Sequence, residues 1–84
     1  MSGRWVIHLP VGAPDLAAAQ RIARVIARWA RILPQVDPGE LTVSAEDGQG
    51  VRHRVFCDRL LPGGRRCQLR ADHDGDCAGR MVLR

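Results

Sequence analysis

The chain has no tyrosine and no lysine, and its 84 residues hold only two tryptophans and one phenylalanine. A domain of this length buries little apolar surface and commonly needs a metal, disulfides or a partner subunit to stay folded. With Trp5, Trp29 and Phe56 as the whole aromatic supply, something other than aromatic bulk must close the fold. Long hydrophobic runs are also missing, and nothing approaches the length of a membrane span. The opening MSGRWVIHLPVG carries one arginine and a short apolar run broken by His8 and Pro10, without a small-residue cleavage site. The three cysteines are an odd number, which suits disulfide pairing poorly. The expectation is a single cytoplasmic domain over residues 1–84, kept reduced and away from membranes.

What is present is arginine. All 13 basic residues are arginine, a usage that a GC-rich genome favours. The guanidinium fork still suits phosphate and carboxylate better than an ammonium would. The net charge of +4 is unevenly spread. Residues 14–34 hold four arginines against Asp15, and residues 51–66 hold five against Asp58. Between them, Asp37, Glu40, Glu46 and Asp47 make residues 35–50 purely acidic.

Residues 4–9, RWVIHL, read as a strand with Trp5, Ile7 and Leu9 on one face and Val6 and His8 on the other. Pro14 suits a first helical position, and Asp15 complements the positive end of the helix dipole. A helix is expected over Leu16 to Leu33, ended by Pro34. At helical spacing Ile22, Val25, Ile26, Trp29, Ile32 and Leu33 share an apolar arc, and Trp29 on this arc and Trp5 on the strand are both expected in the core. Ala19, Ala23, Ala27 and Ala30 fill a separate sector, either a close-approach surface for a dimer or partner, or the place where the helix rests on its own sheet. ELTVSA alternates, with Leu41, Val43 and Ala45 facing one way, and Asp47-Gly48 signals a hairpin. VRHRVF returns as the partner strand and ends at Cys57. His8 and His53 read as ordinary strand residues. The expected class is α+β, a β-α-β-β unit over residues 1–56 followed by a loop-rich part over 57–84, with a short strand at RMVLR.

Cys57, Cys67, His73 and Cys77 are spaced C-x9-C-x5-H-x3-C. Three soft thiolates and an imidazole are a common structural zinc set, and four protein ligands leave no position open for water, which argues against an enzyme. Three thiolates around Zn²⁺ leave the loaded chain one unit less positive than +4. Pro62-Gly63-Gly64 allows the chain to reverse between the first two cysteines, and Gly75 suits a sharp turn between His73 and Cys77. Leu60, Leu61 and Leu69 can roof the site. Three other readings stay open: a disulfide with one spare thiol, a Cys-His nucleophile, and a calcium loop built on Asp72, Asp74 and Asp76. The nucleophile lacks a third group to orient the histidine, and the aspartates lack the register and closing glutamate of an EF-hand. One of them can instead accept the free ring N–H of His73.

CDRLLPGGRRCQLRADHDGDC resembles a small motif of uncharacterised actinobacterial and actinophage proteins. Those proteins carry a Cys, a glycine-containing loop, a Cys-x-Leu and a His-x-Gly-x-His or His-x-Gly-x-Cys ending. Cys57, Gly63, Gly64, Cys67, Leu69, His73, Gly75 and Cys77 fall on it, with cysteine in the last position where histidine is frequent. The resemblance covers the final third of the chain and implies the metal site, but no activity.

Arg21, Arg24, Arg28 and Arg31 form a helical ridge spanning ~15 Å, long enough to follow a phosphate backbone. A solvated helix face would show the same pattern. Few acids stand one turn away to neutralise it. Arg52 and Arg54 share a strand face, and Arg59, Arg65 and Arg66 cluster on the zinc loop. The expected function is a non-enzymatic zinc module binding nucleic acid or a nucleoprotein partner through these arginines. The alternative is a protein-binding adaptor or inhibitor, phage-derived, using the alanine sector or the acidic hairpin.

Overall fold

A computed structural model describes residues 3–78. The RMVLR strand expectation lies outside the described residues.

The helix α1 spans Leu16–Ala30. Asp15 is its N-cap, and the carboxylate accepts the backbone N–H of Ala18 at 2.8 Å, satisfying one of the orphan donors of the first turn. Pro14 therefore stands outside the helix rather than at its first position. Regular helix stops at Ala30, three residues before the expected end. Ile32 and Leu33 donate instead to Trp29 and Ala30 in tighter turns. The residue before a proline is disfavoured in helical geometry, so Pro34 acts on the turn ahead of it.

Strands β1 (Thr42–Val43) and β2 (His53–Arg54) pair antiparallel, Thr42 with Arg54 and Val43 with His53. This register centres the hairpin on Gly48, as Asp47-Gly48 foretold. The connection runs longer than a two-residue turn, through hydrogen bonds from Gly48 to Ala45 and from Val51 to Gly48. A short 3₁₀ turn at Pro38–Glu40 leads into β1. One helix and a two-stranded antiparallel sheet make the fold α+β.

Three expectations fail here. The segment 4–9 has no regular secondary structure and joins no sheet, so the unit is α-β-β among the described residues. Its alternation meets the local requirement for a strand, yet it forms no backbone hydrogen bond to another segment among those residues. Arg4 ties it down through ion pairs with Asp37, at 3.8 Å, and with Glu40.

The helix also buries a different face. Ala23 and Ala27 pack with Val55 and Phe56, and Leu41 and Val43 close over them. Small side chains let the helix backbone approach the hairpin, so the alanine sector is the internal contact. Val25, Trp29 and Ile32 are exposed, and so is Leu33, while Ile22 and Ile26 are half-buried.

Neither tryptophan belongs to the core: Trp5 is 91% and Trp29 75% exposed. Ala45, beyond the end of β1, is exposed too. No described helix is long and apolar enough to cross a membrane.

Candidate metal centre and arginine groove

Beyond β2 the chain folds back on itself between Phe56 and Arg70. Cys57 N–H donates to Leu69, Asp58 to Cys67, Cys67 to Arg59, and Leu61 to Arg65, at 2.7–2.9 Å. Antiparallel bridges join Phe56 to Arg70 and Leu60 to Arg66. Gly63 and Gly64 make the reversal with φ of 85° and 78°, a region that L side chains avoid. Asp58 also takes a left-handed conformation, φ 56°, immediately after the first cysteine. Gly75, φ 80°, turns the chain between His73 and Cys77. Gln68 N–H then holds Ala78 at 2.9 Å, returning Cys77 toward the other sulfurs.

The result is one cluster. The ligand atoms of Cys57, Cys67, His73 and Cys77 all lie within 4.8 Å of one another. Cys57 Sγ is 3.9 Å from Cys77 Sγ, and His73 Nε2 is 3.5 Å from Cys67 Sγ and 3.7 Å from Cys77 Sγ. A tetrahedron with metal–sulfur bonds of ~2.3 Å and a metal–nitrogen bond of ~2.0 Å has S···S edges of ~3.8 Å and S···N edges of ~3.5 Å. These three distances fit that figure, so the four residues could hold a metal ion. The three cysteines are free, and 3.9 Å between Cys57 and Cys77 is far beyond a disulfide bond of ~2.05 Å.

His73 presents Nε2 to the sulfurs because Nδ1 is occupied. It lies 3.2 Å from the backbone carbonyl of Asp74, to which an Nδ1–H donates. That bond fixes the tautomer, as the outer partner of a metal-bound histidine does. A carbonyl therefore fills the role that the sequence suggested for an aspartate carboxylate. Asp72, Asp74 and Asp76 are themselves exposed and none belongs to the cluster.

The electrostatics of the cluster separate the cysteines. The backbone N–H of Arg59 and then the His73 ring draw the Cys57 thiol down to about 7. Hydrogen bonding to the Cys67 sulfur, with desolvation, pushes Cys77 up to about 11. The Cys57 sulfur, helped by the Asp74 carbonyl, raises His73 above the usual histidine value. This is how crowded donors behave when protons do the work of a shared cation.

The arginines divide. Arg21 and Arg24 of α1, Arg52 and Arg54 of the hairpin, and Arg70 behind the cluster line one groove of about 500 Å³. Asp72 is the acid in that lining. Desolvation lowers the Arg24 pKa, with Arg70 and Arg21 adding like-charge repulsion and Asp72 opposing it. The Gln20 amide donates to the Arg54 carbonyl at 3.1 Å, and Arg54 Nη1 donates to the Cys57 carbonyl at 3.2 Å. Helix, hairpin and metal loop are thus tied at the groove. Arg28 lies one step along, lining the neighbouring depression beside His73 and Asp74, while Arg31 lines neither. Arg59, Arg65 and Arg66 are exposed and line neither depression.

Arg70 was not singled out in the sequence. It sits three residues after Cys67, and only the back-folding of the hairpin brings it to α1. Its place opposite Phe56 in a chain reversing at Pro62-Gly63-Gly64 was the available signal. No family model matches the chain, and no curated protein or solved structure matches it either.

Proposed function

We propose that the chain is a non-enzymatic zinc-binding module that grips the phosphate backbone of nucleic acid in the arginine groove. Zinc is the ion that the donors favour. Three thiolates and one imidazole in a closed tetrahedral set suit it well, and four protein ligands leave no position for a reacting water. Its role in this reading is structural, joining residue 57 to residues 67–77.

The observation that carries the nucleic-acid reading is the convergence of Arg21, Arg24, Arg52, Arg54 and Arg70 from three separate segments on one groove. Holding like charges together has an electrostatic cost: the Arg24 pKa is lowered first by desolvation and then by repulsion from Arg70 and Arg21, with Asp72 opposing. A polyanion would relieve that repulsion, and release of its counterions would supply the affinity. Both tryptophans are exposed, so a lack of available stacking rings does not by itself favour duplex over single strands. The preference for backbone contact now rests on the groove, which neither tryptophan lines. Among the described residues the one ring that lines the groove is that of His53, a sparse platform for stacking successive bases.

The test is duplex binding as a function of salt. A groove occupied by phosphate gives an affinity that falls steeply with ionic strength and is nearly independent of sequence. Absence of duplex binding at low salt would refute the reading. The second reading, a protein-binding adaptor, is favoured by the exposed Val25, Trp29 and Ile32, and an apolar contact of that kind would be insensitive to salt.

A further inference from the structure

The three sulfurs of the metal centre are not equivalent. Cys67 is 1% exposed, and its backbone is held on both sides. Its N–H donates to the Arg59 carbonyl at 2.8 Å, and its own carbonyl accepts from Asp58 at 2.9 Å. Cys57 and Cys77 are only half-buried, and their sulfurs stand 3.9 Å apart. The turn that delivers Cys77 is open. Asp74, Gly75 and Asp76 are exposed, and a Cβ placed on Gly75 would meet nothing within 4 Å.

From this asymmetry, and resting on the zinc reading above, we infer that the centre is a peroxide-sensitive switch. A hydroperoxide joins Cys57 to Cys77 in a disulfide and so dismantles the metal site. Sulfurs that hold a metal are deprotonated, and the accessible thiolate is the nucleophile in cysteine oxidation. One sulfur of the half-buried pair attacks a peroxide oxygen and becomes a sulfenic acid. The O–O bond breaks, and the other oxygen takes up a proton and leaves as water. The second thiolate then attacks that sulfur. The S–O bond breaks, its oxygen leaves as a second water, and the S–S bond forms. With hydrogen peroxide, two thiolates, one peroxide and two protons give one disulfide and two waters. The metal ion is neither oxidised nor reduced.

Closure brings the sulfurs from 3.9 Å to ~2.05 Å, a movement of about 2 Å. Gly75, at a φ of 80° and in open space, is where the chain can take it up. What then remains is the Cys67 thiol and the His73 imidazole. Two donors are half of the closed set that structural zinc requires, so the ion is released. The new bond still ties residue 57 to residue 77, but Cys67 and His73 lose their shared anchor. Arg70 lies between them in sequence and lines the groove, so oxidation loosens one of its five guanidiniums.

The test treats the zinc-loaded full chain, freed of reductant, with hydrogen peroxide and follows released zinc with a chromophoric chelator. Stoichiometric release is expected, with a chain mass lower by two hydrogens. Trypsin, cutting after Arg54, Arg59, Arg66, Arg70 and Arg80, puts the three cysteines on separate peptides. The map should link the Cys57 peptide to the Cys77 peptide and leave Cys67 open to alkylation. A dithiol reductant with added zinc should restore loading. Cys77→His keeps four donors but removes the pair, and it should release zinc several-fold more slowly. If that variant does not load, the peptide map of the native chain decides alone. Zinc retained under peroxide, a link through Cys67, or a loaded Cys77→His chain as sensitive as the native one overturns the switch and leaves the zinc reading standing. A chain that carries no zinc before treatment overturns both.

Discussion

Phe56 and Arg70 face each other across an antiparallel bridge, and through that one pair the core, the metal centre and the groove meet. Phe56 is almost fully buried against α1, Cys57 follows it into the cluster, and Arg70 reaches the groove beside Arg24. The groove is therefore expected to depend on the metal. Stripping the ion with a chelator should free the hairpin, scatter Arg70, and weaken duplex binding even where α1 persists. Parallel titrations of loaded and stripped protein, with circular dichroism to follow the helix, measure that dependence.

The arginines make a quantitative expectation. Replacing both Arg24 and Arg70 by alanine should lower the magnitude of the log-affinity against log-salt slope by about 2 and weaken all duplex sequences alike. Arg31→Ala, at a residue that does not line the groove, should change the slope little. Fluorescence anisotropy at several salt concentrations reads both.

Helix α1 stands on its cap. Asp15→Ala leaves the Ala18 N–H without its acceptor and should cost about 1 kcal/mol. For a domain of this size that is a fall in Tm of roughly 4–8 °C, measurable by thermal melting of the metal-loaded protein.

Gly75 has open space around it but a φ of 80°, so alanine there meets strain rather than collision. The left-handed conformation costs an L residue about 1–2 kcal/mol. Because the strain falls between His73 and Cys77, it should appear as a metal affinity weakened roughly 5- to 30-fold. Competition with a chromophoric chelator provides the measurement.

Protons compete with the ion for the same sulfurs. Metal binding needs thiolates, so affinity must rise with pH and fall on acidification. Cys57 is already about half ionised near neutral pH, while Cys77, held up at about 11, must surrender its proton on loading. Zinc addition at neutral pH should therefore release protons. Calorimetry in buffers of different ionisation enthalpy counts them.

The sequence spoke clearly wherever residue chemistry alone decides. Three thiols and an imidazole at close spacing, glycines at the turns and Asp47-Gly48 between alternating segments all appear where they were expected. It spoke less clearly where the outcome depends on what a segment meets. The segment 4–9 satisfies the local rules for a strand, but pairing requires a neighbour that the described residues do not supply. The helix periodicity marked both an apolar arc and an alanine sector, and no local rule says which one a small hairpin can approach. Ala23 and Ala27 win because a two-stranded hairpin bearing Phe56 needs the helix backbone close. Arg70 was hard to single out for the same reason, since its position is set by a bridge across the reversal at Pro62-Gly63-Gly64 rather than by its neighbours in sequence.

The account stands most directly on the metal content of the freshly purified protein, determined by elemental analysis beside a Cys77→Ser variant. One zinc ion per chain is expected in the native protein, with a clear loss in the variant. A native chain that carries no stoichiometric metal, and whose melting a strong chelator leaves unchanged, would contradict it.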